Sequence, residues 1–123
     1  MFGATAIGVY LLLVVGATTS VTEAASACGG WPACGDGFST PGTMAGWIAI
    51  GHRILAGVVG VLVVWSAAIA WRTPAERRVQ VALGAALGLY PIQAAIVALV
   101  AIHGNASGLP LGMLHLVLGV SIF

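Results

Sequence analysis

Apolar residues run almost unbroken over about 3–22, 44–71, 74–102 and 110–123, with the polar residues gathered between these runs. The first three runs reach or exceed the roughly 20 residues that an α-helix needs to cross a bilayer. The pattern predicts four membrane helices and no strands: an all-α, antiparallel four-helix bundle occupying residues 1–123 as one unit. Trp47 and Trp71 mark the two ends of the second run, as interfacial anchors do. Thr73-Pro74-Ala75-Glu76 reads as N-cap, Pro at the first helical position and Glu at the third, a capping box that starts the third helix at 74. Pro91 removes one backbone hydrogen bond inside that helix and predicts a kink.

The fourth run is short. About 14 residues rise roughly 21 Å, against a hydrocarbon core of about 30 Å. The fourth helix is therefore expected to be truncated, in a chain that is incomplete or has its end covered by a partner. Arg72, Arg77 and Arg78 all fall in the connection between spans two and three. The positive-inside rule puts that connection and the N-terminus in the cytoplasm, and the 23–43 and 103–109 loops outside the cell membrane. Gly84 with Gly88, Gly108 with Gly112, and Ala56 with Gly60 have the small-xxx-small spacing that lets helices approach closely. Packing within the bundle accounts for most of them, and contact in a homo-oligomer is the alternative.

Composition agrees with the pattern. The chain is 60% hydrophobic and 6% charged, with a mean hydropathy of +1.10. A soluble domain carries about a quarter charged residues. There is no lysine and no basic tract, so nucleic-acid binding has no support. The first run lacks a basic leader and exceeds the roughly 7–15 apolar residues of a secretion signal, so it reads as a retained span.

Candidate chemistry centres on two histidines inside spans, His52 in WIAIGHRILAGVVGVLVVW and His115 in LPLGMLHLVLGVSIF. An ionisable group in a membrane span usually has a partner and a function. Helical rise puts the two at roughly 12 and 8 Å from the outer side, on spans that run in the same direction. A metal centre held between them, heme iron above all, is the expected reading. Hydrogen bonding of each imidazole to a backbone carbonyl or hydroxyl is the structural alternative. Gly51, Ala56 and Gly60 would leave room for the face of a macrocycle. Arg53 either pairs with a heme propionate through its fork or extends to the outer headgroups. His103, at the outer end of span three, reads as a loop residue.

Cys28 and Cys34 flank Gly-Gly-Trp-Pro-Ala on the outer, oxidising side, where a short-loop disulfide is expected. A metal site would need further ligands, and free thiols do not suit that compartment. Glu23 and Asp36 are the acids of the outer side. Glu23 reads as an interface anchor, with a proton relay as the alternative. There is no Ser-His-Asp arrangement, phosphate loop or zinc-type spacing.

Taken together, VTEAASACGGWPACGDG, WIAIGHRILAGVVGVLVVW, YPIQAAIVALV and LHLVLG resemble the heme A synthase family of cytochrome oxidase assembly proteins. That family has a Cys…Trp-Pro-x-Cys outer loop, a His-Arg in helix two, a Gln in helix three and a Leu-His in helix four. The resemblance covers nearly the whole chain and one four-helix bundle of the family's usual two. It implies that His52 and His115 ligate heme (b-type, heme O or heme A), that Cys28 and Cys34 are the outer cysteine pair, and that the activity is oxidation of the heme O methyl group to the heme A formyl group. The family's glutamate three residues before the helix-two histidine is Ala49 here, and the arginine near the end of span one is replaced by Thr19-Ser20. A carboxylate beside the heme would serve as proton acceptor, so its loss favours the alternative of an inactive heme-binding or structural subunit of a larger respiratory or photosynthetic complex. Expected partners are heme, the bilayer, and a second copy, second bundle or larger complex. A chlorophyll-binding subunit fits less well, because magnesium there takes one axial ligand and two histidines lie at similar depth.

Overall fold

The computed structural model describes residues 2–22, 24, 27, 28, 30, 31, 34, 40–103 and 108–122, with the side chains of 100–112 and 122 outside the description. The described chain is helical: α1 (Phe2–Val21), α2 (Met44–Arg72), α3 (Arg77–His103) and α4 (Gly108–Ile122). The first three are long and apolar enough to cross a membrane. Large apolar side chains face outward on all four helices, among them Ile7, Ile54, Val61, Val81 and Val117. In water that much exposed apolar surface would drive association. In lipid it is the expected exterior, and the chain is a multi-pass membrane protein.

The helices are arranged in a ring. Contacts join α1 to α2, α2 to α3, α3 to α4 and α4 back to α1, and among the described residues the diagonal pairs do not touch. One apolar cluster, Val9, Val59, Val63 and Ala86, packs α1, α2 and α3 together, with Leu12, Leu55, Leu87 and Tyr90 around it. Hydrocarbon offers no partner for polar groups, so each one inside the bundle must find one in the protein. Thr5 and Ser66 share a 2.7 Å hydroxyl bond between α1 and α2. Gln80 Nε2 donates to the Ala70 carbonyl at 2.9 Å, and the Tyr90 hydroxyl donates to the Ala56 carbonyl, tying α3 to α2 twice.

Helix ends follow local chemistry, with one correction. Thr43, in extended conformation, caps α2 by accepting from the Gly46 amide. At the other end, Thr73 does not open α3. Its amide and its hydroxyl both donate to the Ile69 carbonyl, so it closes α2. Its φ of −120° and ψ of 160° are the extended values that a following proline favours. The helix after it therefore begins at Arg77, with the Glu76 carbonyl accepting from Val79 and Gln80. The expected capping box is not formed. Helix α3 then continues through Pro91.

Close helix approach uses Gly60 of the expected pairs, together with glycines outside them. A Cβ on Gly88 or Gly51 would meet nothing within 4 Å, and one on Gly84 would just touch the Trp71 ring. Gly108 and Gly112 lie outside the described side chains. Tight positions between helices include Gly60, where a Cβ would lie 2.9 Å from Tyr90 Cε1, Gly16, where it would lie 3.1 Å from His52 Cε1, and Gly8, where it would lie 3.2 Å from Val59 Cγ2. The Tyr90 ring cannot swing aside without losing its bond to Ala56. Overpacking of this kind costs about 1–3 kcal/mol, more than the roughly 1 kcal/mol that removing a helical glycine returns. Gly60→Val is therefore expected to lower thermal stability in detergent, whereas Gly51→Ala is expected to leave it unchanged or raise it slightly. Equal melting midpoints for the two variants would contradict this packing.

Candidate functional site: an apolar cavity between two histidines

A half-open cavity of about 670 Å³ is lined by residues of all four helices and by Trp31 of the α1–α2 loop. Its size lies within the usual range for small-molecule sites. His52 of α2 and His115 of α4 both line it. These two helices are diagonal across the ring, so the imidazoles approach the cavity from opposite sides. From the first residue of each helix, the rise to His52 is roughly 12 Å and to His115 roughly 10 Å. The walls are otherwise apolar or small, including Ala56, Gly57, Gly60, Ala94 and Gly119. Gly51, expected to make room here, faces away from the cavity.

His52 is set by a neighbour that lacks a side chain, and His115 by an amide. A Cβ on Gly16 of α1 would lie 3.1 Å from His52 Cε1. A Cβ on Gly119 of α4 would lie 3.9 Å from Gln93 Nε2, and that amide donates to the His115 carbonyl at 3.0 Å. His52 Nδ1 and His115 Nδ1 are buried and have no hydrogen-bond partner. The alternative in which each imidazole merely satisfies a backbone group therefore finds no support. Among the described residues no cluster of three or more His, Cys, Asp or Glu side chains is assembled. Two opposed imidazoles are too few to hold a bare tetrahedral ion. They are the number of axial ligands that a flat macrocycle leaves open, and an apolar cavity with glycine walls suits its faces.

Arg53 lines the cavity but is engaged elsewhere. Its guanidinium donates to the Gly30 carbonyl at 3.0 Å and to the Cys28 carbonyl at 3.4 Å. It staples the α1–α2 loop onto α2, one residue from His52. The loop itself is closed by the Cys28–Cys34 disulfide, with Gly30 in the left-handed region at φ 102°. Cys28 and Cys34 pack with Ala24 and Ala49 in a second buried cluster. Position 49 thus lies under the disulfide and does not line the cavity. Trp31 and Tyr90 are cavity residues that sequence reasoning missed. The Trp-Pro and Tyr-Pro pairs were visible, but nothing in them told which side they face. Glu23 and Asp36 lie outside the described residues, as does the side chain of His103.

Comparison with known proteins corrects the expected reaction. A protoheme IX farnesyltransferase of Haloquadratum walsbyi is 47% identical over 123 residues, all of this chain and 25% of its own length. Another of that name from Halobacterium salinarum is 46% identical over 123 residues, 26% of its own length. One from Roseiflexus castenholzii is 38% identical over 84 residues, 68% of this chain and 15% of its own length. The chain thus spans about a quarter of the haloarchaeal relatives. No protein-family model matches the chain, and no solved structure does. The expected heme A synthase, oxidising the heme O methyl group, is overturned, because these relatives are named for farnesyl transfer to protoheme. The motifs behind that expectation describe a loop, two imidazoles and an amide. They specify a place for a ligand and say nothing of the bond made or broken there.

The loop staple has a measurable consequence. A hydrogen bond to a charged donor contributes about 1.5–3 kcal/mol, and each 1.4 kcal/mol is tenfold in an opening equilibrium. Arg53→Ala is expected to speed hydrogen–deuterium exchange over residues 27–34 by at least about tenfold while leaving α2 protected. Unchanged exchange in the loop would show that the disulfide alone holds it.

Proposed function

We propose that this chain is a heme-holding membrane segment of a protoheme IX farnesyltransferase, with the porphyrin substrate bound between His52 and His115. The observation that carries this reading is the pair of imidazoles, on diagonal helices, lining one apolar cavity. The names of the relatives supply the ligand class. Heme bound there would present its iron to the two Nε2 atoms, and its macrocycle would lie against Gly57, Gly60 and Gly119. Arg53 and Trp31 would cover the outer end, with the guanidinium adding positive charge near the propionates.

The prenyl half of the reaction belongs, on this reading, to sequence beyond these 123 residues. A diphosphate leaving group is usually held with Mg²⁺ by one or two carboxylates beside the phosphates. The acids of this chain are Glu23, Asp36 and Glu76. They are 13 and 40 positions apart in the sequence. The chain therefore contributes binding and orientation of the porphyrin and exclusion of water. The arginines at 72, 77 and 78 support, by the positive-inside rule, a cytoplasmic α2–α3 connection, with the cavity then opening in the outer half of the membrane.

Optical titration of the detergent-solubilised protein with protoheme tests the reading. The wild type is expected to give a stoichiometric low-spin spectrum of bis-imidazole type. His52→Ala and His115→Ala are each expected to lose that signature, and His103→Ala to keep it. A low-spin spectrum that survives both single substitutions, or no binding by the wild type, would refute the assignment.

A further inference from the structure

Three buried side-chain atoms among the described residues lack a hydrogen-bond partner: His52 Nδ1, His115 Nδ1 and Gln93 Oε1. All three residues line the cavity. Gln93 is 8% exposed, and leaving a buried acceptor unpaired costs about 1–3 kcal/mol. The set is complementary: one acceptor and two imidazole nitrogens able to donate. It is also ordered in space. The amide end of Gln93 already holds the His115 carbonyl at 3.0 Å. The side chain that carries the unpaired Oε1 is thereby bonded to the residue whose imidazole lacks an acceptor.

We infer that Gln93 is a positioning residue for His115. Its Nε2 fixes the α4 backbone at that histidine, and its Oε1 takes the Nδ1–H when the imidazole presents Nε2 to a bound ligand. A metal-ligating histidine generally donates its second ring N–H to such an acceptor, which fixes the tautomer and raises the basicity of the ligating nitrogen. His52 has no comparable amide, so the two axial positions are unequal, with the α4 side the more strongly donating. This rests on the reading of the cavity as a heme site.

Redox titration of the heme-loaded protein separates the two claims. Gln93→Leu removes both contacts and is expected to weaken heme binding roughly 10- to 100-fold and to move the midpoint potential positive. Gln93→Glu keeps an acceptor and strengthens it, and is expected to move the midpoint negative of the wild type. A purely structural role would move both variants in one direction or neither. Where the leucine variant does not fold, the sign of the glutamate shift decides alone. Wild-type protein that takes up no low-spin heme overturns the heme reading and this inference together. Wild-type protein that binds heme, with variants at the wild-type potential or shifted in one shared direction, overturns only the role of Gln93.

Discussion

Hydrocarbon supplies no hydrogen bonds, and that constraint organises the whole molecule. Every polar group brought into the bundle has to be met from within. The Thr5–Ser66 pair, Gln80 on Ala70, Tyr90 on Ala56 and Gln93 on His115 are four answers to it. Each joins two different helices, so the same bonds that satisfy polar groups also fix the arrangement of the ring. The imidazole Nδ1 atoms of His52 and His115 and Gln93 Oε1 are the exceptions among the described residues, and they border one cavity. A fold that is otherwise strict about pairing leaves its unpaired atoms where a ligand would sit.

The cavity is held open by different means on its different sides. On α1, glycine makes the space, because Gly16 receives the His52 ring. On α3, the Tyr90 ring presses on Gly60 and is held by its hydroxyl. At the outer end, the disulfide loop is fastened by Arg53, which brings Trp31 to the cavity wall. The loop and His52 are thus linked through adjacent residues of one helix turn. Interior close-packing of this sort transmits small displacements rather than absorbing them, so disturbance of the loop is felt at the histidine.

Much of this was legible in the sequence, for physical reasons that differ by feature. Long apolar runs can only be spans, so the four helices were plain, and α2 and α4 emerge within two residues of expectation. The disulfide followed from two cysteines in a short loop, on the expectation that the loop faces the oxidising side. The common depth of His52 and His115 followed from helical rise alone. Rotation about the helix axis was not legible, because these helices are apolar all round and carry no polar face to orient them. That is why Gly51 was placed in the cavity and Gly16 was not, and why Trp31 and Tyr90 were missed. Thr73 failed for another reason: it can cap either of the helices it separates, and the proline after it decides for α2. The reaction was least legible of all. A cavity between two histidines looks alike whatever is done to its ligand, and comparison with relatives overturned the expected oxidation.

The central claim is that one porphyrin lies between α2 and α4 with both imidazoles on its metal. The most direct measurement is an experimental density map of the membrane protein prepared with protoheme, with the iron located by anomalous scattering. The account predicts one iron peak between the two helices, within coordination distance of His52 Nε2 and His115 Nε2. An iron peak outside the bundle, or one reached by a single histidine, would contradict it.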